Sequence, residues 1–149
     1  MNYEVSVRAV GASPTAVVAQ ETTWAEFPRL WGKLLDEVWS FIRGGGAAKA
    51  GHNVMLYRDD VPNVEVGVQV AGSFPPAGRV VASELPAGRV ASTVHRGDYG
   101  RLGEAHDAVV RWCLAEGHEV TRTRWEIYGD PREDDPAAPV AVEVCWLLR

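Results

Sequence analysis

The sequence has only two cysteines in 149 residues, Cys113 and Cys145. That excludes a disulfide-stapled scaffold and leaves both to be read as small, buried apolar residues. It also lacks any cluster of Lys and Arg: 15 basic residues are scattered among 20 acidic ones, for a formal net charge of −5. Neutralising a phosphate backbone takes a basic patch, so no direct nucleic-acid binding is expected. Adsorption to an anionic membrane is disfavoured for the same reason. No stretch approaches the ~20 apolar residues of a membrane span. The first ten residues carry Glu4 and Arg8 where a signal peptide needs an apolar core, so the cytoplasm is the expected compartment.

The usual catalytic signatures are missing as well. There is no phosphate-binding loop, no dinucleotide fingerprint, no H-E-x-x-H and no G-x-S-x-G. The four histidines, His52, His95, His106 and His118, have no second ligand at metal-binding spacing apart from His106-Asp107 and His118-Glu119, adjacent pairs that point different ways. The acidic run from Asp130 to Asp135 lacks the alternating oxygens and central Gly of a calcium loop. No metal and no cofactor are expected.

What remains is a good core and many rings. Hydrophobic residues make up 46% of the chain, and six are Trp. A chain of this length buries roughly 68–70% of its unfolded surface. So many large flat side chains suit a pocket wall as well as a core.

Alternation predicts strands over 3–10, 16–20, 53–58, 64–70, 79–85, 89–95, 121–128 and 140–147. Trp24, Phe27, Trp31, Leu34, Leu35, Val38 and Ile42 recur at helical spacing. Thr23 and Glu26 resemble a capping box, but Pro28 places the regular helix nearer residue 28. Gly44, Gly45 and Gly46 end it. A second helix begins with Asp98 as N-cap, carries Leu102, Ala105, Val109, Trp112 and Cys113 on one stripe, and stops at Gly117. The order strand, helix, strand, loop, strand occurs in 3–71 and again in 89–148. Met55-Leu-Tyr-Arg-Asp59 then aligns with Glu126-Ile-Tyr-Gly-Asp130. Two such units make a single α+β domain, with one antiparallel sheet and both helices on one face. The other face and the seam are expected to form the cleft.

Glu126 is the residue of interest. Arg124, Glu126 and Tyr128 share one face of their strand, and Trp125 and Ile127 share the other. Packing Trp125 and Ile127 under the helices would send Glu126 to the opposite face. There it is either a carboxylate among rings, able to trap a cation, or a Glu on a wetted sheet paired with Arg124 or Arg122.

The stretch His95-Arg-Gly-Asp-Tyr99, followed by Leu102, Trp112, Gly117 and Trp125-Glu-Ile-Tyr-Gly-Asp-Pro131, resembles the GyrI-like small-molecule-binding domain. That domain is also the effector-binding module of bacterial AraC- and MerR-type multidrug-responsive activators. The resemblance covers nearly the whole chain and is sharpest over residues 94–131. It implies duplicated βαββ units with a hydrophobic groove between the halves and a central strand Glu, here Glu126, that attracts lipophilic cations. Tyr128 would line the groove, and Tyr57, Trp24, Trp112 and Trp146 are further candidates. The activators carry a helix-turn-helix domain before this module, whereas this chain starts at the first strand. A stand-alone form without DNA recognition is therefore expected.

Three functions fit the resemblance. The first is a binding protein for a hydrophobic or cationic small molecule. The second is a hydrolase of strained cyclopropane-containing toxins, with Glu126 and Tyr128 or Tyr57 as catalytic groups. The third is a protein-interaction module, for example against gyrase, although no residue points to a particular protein partner.

Overall fold

A computed structural model describes residues 2–149. Among the described residues, eight strands form one antiparallel sheet. They are β1 (Ser6–Val10), β2 (Ser13–Glu21), β3 (Lys49–Tyr57), β4 (Asn63–Val70), β5 (Val80–Leu85), β6 (Gly88–His95), β7 (Val120–Tyr128) and β8 (Val142–Leu148). Two helices, α1 (Phe27–Arg43) and α2 (Leu102–Glu116), follow β2 and β6. Every expected strand and helix is present, with ends shifted by a few residues.

Local chemistry sets the helix ends. The Thr23 hydroxyl accepts the Glu26 N–H at 3.1 Å, but this caps a preceding turn, and α1 starts at Phe27 with Pro28 in its first turn. Asp98 likewise caps a short 3₁₀ turn, Tyr99–Arg101, that leads into α2. Gly117 ends α2 in the left-handed conformation, φ 79°, where a Cβ would be strained.

The strand order is β1-β6-β8-β7-β3-β4-β2-β5. Exchanging each strand with the one four later in sequence reverses this order onto itself. The sheet is thus a duplicated unit with its two-fold between β3 and β7. Each half lends its first strand to the other: β1 pairs with β6, and β5 pairs with β2.

That exchange curls the sheet. Val10 ends β1 near one edge and Ser13 starts β2 near the other, only three residues later. Such a link spans at most about 11 Å. The two ends of the sheet therefore approach over the face away from the helices. Val10, Val54, Leu56, Leu85, Val90, Trp125, Ile127, Cys145 and Leu147 fill that face as one cluster. Burial pushes the Cys145 thiol up to about 12, so it is inert packing.

This overturns the expected arrangement of faces. Trp125 and Ile127 lie in the helix-free cluster, and Glu126 lies on the helix side. The helix-free face is a filled core rather than a cleft, because the curl leaves no room there. On the helix side, α1 covers β4 and β2 while α2 covers β6 and β8. The central pair, β3 and β7, is left between the two helices.

Gly67 marks one tight point. A Cβ there would run into the Ala16 carbonyl on the neighbouring strand, so no side chain fits.

Candidate functional site

The row of residues across the sheet at Glu126 runs Val80, Val18, Val66, Met55, Glu126, Val144, Thr93. Glu126 is the one ionisable group in it and is 3% exposed. A carboxylate so placed is costly unless donors satisfy it. Three do. The Tyr57 hydroxyl lies 3.0 Å and the Tyr128 hydroxyl 2.8 Å from Oε1. His106 Nε2 lies 2.7 Å from Oε2.

The duplication explains the two tyrosines. Met55 and Glu126 are equivalent and face each other as partners in the β3–β7 ladder. Tyr57 and Tyr128 stand two residues beyond them on their respective strands. Strand periodicity brings both onto the face of Glu126, one from each side.

The third donor has an assigned proton. Trp146 Nε1 lies 3.0 Å from His106 Nδ1, and an indole N–H can only donate. Nδ1 must therefore accept, which leaves the imidazole proton on Nε2, pointing at Glu126. A second proton on this ring would break the Trp146 bond. The contact is consequently a neutral imidazole donating to a carboxylate.

Burial, reinforced by the charge of Glu126 and its hydrogen bond, pushes the Tyr57 phenol well above its ordinary range. The same causes, burial first, raise Tyr128 strongly. At neutral pH both phenols hold their protons and act as donors.

Two hollows open on either side of this cluster and share Tyr57, Leu102 and Glu126. The α2-side lobe, about 580 Å³, is walled by Trp24, His106, Asp107, Arg111, Arg124 and Trp146. The α1-side lobe, about 310 Å³, is walled by Phe27, Trp31, Leu35, Met55, Tyr99 and Tyr128. The lobes are counterparts under the duplication but not chemical equals. The α2-side lobe, with Asp107, Arg111 and Arg124 in its wall, is the more polar of the two, and the α1-side lobe is mainly apolar. Trp31 and Tyr99, 40% and 45% exposed, stand at the rim of the apolar lobe.

In the polar lobe, the Arg124 guanidinium lies over three rings, 5.0 Å from Trp146, 5.4 Å from Trp24 and 5.7 Å from Tyr57. Its ion pair is with Asp60, at 2.7 Å. Arg124 is not the salt-bridge partner of Glu126. Among the described residues, no group of three His, Cys, Asp or Glu side chains could hold a metal ion. No helix there is long and apolar enough to cross a membrane.

Of the residues singled out from sequence, Glu126, Tyr128, Tyr57, Trp24 and Trp146 converge on the hollow. Trp112 does not. It packs with the α2 cluster and stacks on His118 at 5.5 Å. Sequence reasoning missed His106 and the caging of Arg124. The signal for His106 was its spacing, four residues after Leu102 and three before Val109, which puts it at the edge of the apolar stripe.

No protein-family model matches the chain, and no curated protein matches it. Solved structures do. The EcmrR C-terminal domain aligns at TM-score 0.83 and 17% identity, over 100% of this chain and 99% of that one. In the EcmrR–DNA complex the chain spans only 57% of the longer protein. SAV2435 bound to tetraphenylphosphonium aligns at TM-score 0.71 and 8% identity, over 100% and 94%. A hydrolase from Listeria innocua aligns at 0.62 and 10%, over 98% and 92%. The chain therefore has the fold of the EcmrR C-terminal domain and SAV2435, the arrangement its resemblance to the GyrI-like small-molecule-binding domain implies.

Proposed function

We propose that this protein binds a bulky aromatic or otherwise apolar small molecule, preferentially a cationic one. The ligand's rings lie in the α1-side lobe against Phe27, Trp31, Tyr99 and Tyr128. Its charge is drawn to Glu126. The observation that carries this reading is a carboxylate, 3% exposed, at the floor of a ring-lined hollow and held by three donors. Aromatic faces attract cations most strongly where water is excluded. The binding of tetraphenylphosphonium by SAV2435, a protein of the same fold, supports it.

The test is a thermal-shift titration with tetraphenylphosphonium and with the neutral dye N-phenyl-1-naphthylamine. A ligand at 100 times its dissociation constant adds about 2.7 kcal/mol to native stability. For a domain of this size that raises Tm by roughly 5–10 °C. Glu126→Gln weakens the phosphonium about tenfold and spares the neutral dye. Equal losses for both ligands would remove the role given to charge.

A second reading is hydrolysis of a strained electrophile such as a cyclopropane-bearing toxin. It is favoured by the contact of Glu126 with a neutral imidazole beside a cavity. A carboxylate–imidazole pair can position water, and the tyrosines can donate a proton to the leaving atom. Mass spectrometry of such a compound incubated with the protein decides it. A gain of one water that disappears in Glu126→Gln supports turnover, and recovery of unchanged compound rejects it for that substrate.

A further inference from the structure

Arg124 occupies the place in the polar lobe that an exogenous cation would take. Arg124 is 8% exposed, and its guanidinium lies over Trp146, Trp24 and Tyr57. Its counter-ion, Asp60, has a side chain 61% exposed at the rim. Trp24 Nε1 donates to the Asp60 carbonyl at 3.1 Å, so the outer ring of the cage and the counter-ion are joined. The Arg122 carbonyl accepts a further bond from Arg124 at 2.9 Å.

The duplication supplies an internal comparison. Arg124 stands two residues before Glu126, and Asn53 stands two residues before Met55. Asn53 lines the apolar lobe, is uncharged, and accepts from Trp39 Nε1 at 2.9 Å. Equivalent positions thus differ by one full charge, and the charge is on the side that holds the aromatic cage.

We propose that Arg124 is a resident cation that determines ligand specificity: it fills the Trp24–Tyr57–Trp146 cage, and a cation enters that lobe only by displacing it toward Asp60. This rests on the reading of the hollow as a cation-binding site, which it deepens. In the resting protein the cation route to Glu126 runs through the α1-side lobe. The larger α2-side lobe is closed to cations by repulsion and by occupancy.

Two arms of one experiment test it. In Arg124→Ala the cage is vacated, while Asp60 remains solvated, so no buried charge is orphaned. Ethylguanidinium at millimolar concentration then raises the Tm of Arg124→Ala by several degrees over matched sodium chloride and over neutral ethylurea. It leaves the wild type unmoved. Tetraphenylphosphonium binds Arg124→Ala about tenfold more tightly than wild type, the scale of one buried cation–π site, while N-phenyl-1-naphthylamine is unchanged. Asp60→Asn, an exposed change, loosens the tether and shifts the phosphonium in the same direction by a smaller factor. An identical ethylguanidinium response in both proteins overturns the proposal, as does phosphonium affinity that falls or stays constant in Arg124→Ala. If neither protein binds the phosphonium, the ligand reading fails, and the ethylguanidinium arm still decides whether Arg124 is the cage's resident.

Discussion

Met55 and Glu126 face each other across the β3–β7 ladder at equivalent positions of two duplicated strands, one a thioether and the other a carboxylate. The site arises from this departure from symmetry. The two-fold brings Tyr57 and Tyr128 to the same spot, and the substitution of an acid for an apolar side chain gives both hydroxyls an acceptor. His106, from α2, supplies the remaining donor.

The three donors make Glu126 stabilising in place even though a lone buried carboxylate is not. Glu126→Leu leaves Tyr57, Tyr128 and His106 without their acceptor and costs about 2–4 kcal/mol, since each unsatisfied group costs ~1–3 and the open lobes let water recover part. Glu126→Gln keeps one acceptor oxygen and costs less. Urea unfolding of the two variants gives this order, and the reverse order would mean that the donors do not depend on Glu126.

Alkaline stability carries the signature of the tyrosines. Both phenols have folded-state values raised above the ordinary ~10. Below pH ~10 folded and unfolded chains are both protonated there, and stability does not depend on these groups. Above it the unfolded chain releases protons that the folded chain keeps. Stability then falls with rising pH, by about 1.4 kcal/mol per unit per tyrosine, until the folded value is reached. Unfolding measured from pH 8 to 11 shows a shallower fall in Tyr57→Phe than in wild type. Parallel curves would contradict the burial assigned to Tyr57.

Much of this arrangement was readable in the chain. Alternation over β7 put Glu126 and Tyr128 on one face, and the alignment of Met55 with Glu126 is the pairing at the two-fold. Which face lay under the helices was not readable. Both faces of β7 bear large side chains, so parity alone did not choose between Trp125 and Glu126. The choice is made by the short β1–β2 link at Gly11 and Ala12, which draws the sheet's ends together and fills the helix-free side. His106 was hidden because a lone His beside an apolar stripe looks the same whether or not a carboxylate faces it. The alternative of a Glu126 paired with Arg124 or Arg122 stayed open in the sequence, because nothing local shows that Asp60 returns from the β3–β4 loop to meet both arginines.

The His106 proton is fixed from both ends: the Trp146 indole N–H donates to Nδ1, and the Glu126 carboxylate accepts from Nε2. Nitrogen-detected NMR of the His106 ring is expected to show the Nε2–H tautomer in wild type and, because Glu126 still needs that proton, in Trp146→Phe as well. In Trp146→Phe combined with Glu126→Leu both constraints are gone and the two tautomers mix. An unmixed ring spectrum in the double variant would mean that neither neighbour orients the imidazole.

Two glycines separate close packing from mere flexibility. Gly67→Ala drives a Cβ into the Ala16 carbonyl and costs about 3 kcal/mol or more, because β2 and β4 must part. Gly32 lies inside α1 with open space around its missing Cβ. Gly32→Ala gains about 0.5–1 kcal/mol by lowering the entropy of the unfolded chain. Thermal unfolding of both variants checks the contrast.

In the proposed binding mode a ligand's positive charge comes to rest beside Glu126 in the apolar lobe. Anomalous diffraction from crystals holding tetraphenylarsonium locates that charge directly, because the arsenic is its centre. The arsenic peak is expected within about 7 Å of the Glu126 carboxylate, where Coulomb attraction is still large once the ligand has displaced water from the lobe, with phenyl rings against Trp31, Tyr99 and Tyr128. A peak on the outer surface, or in the hollow but far from Glu126, would contradict it.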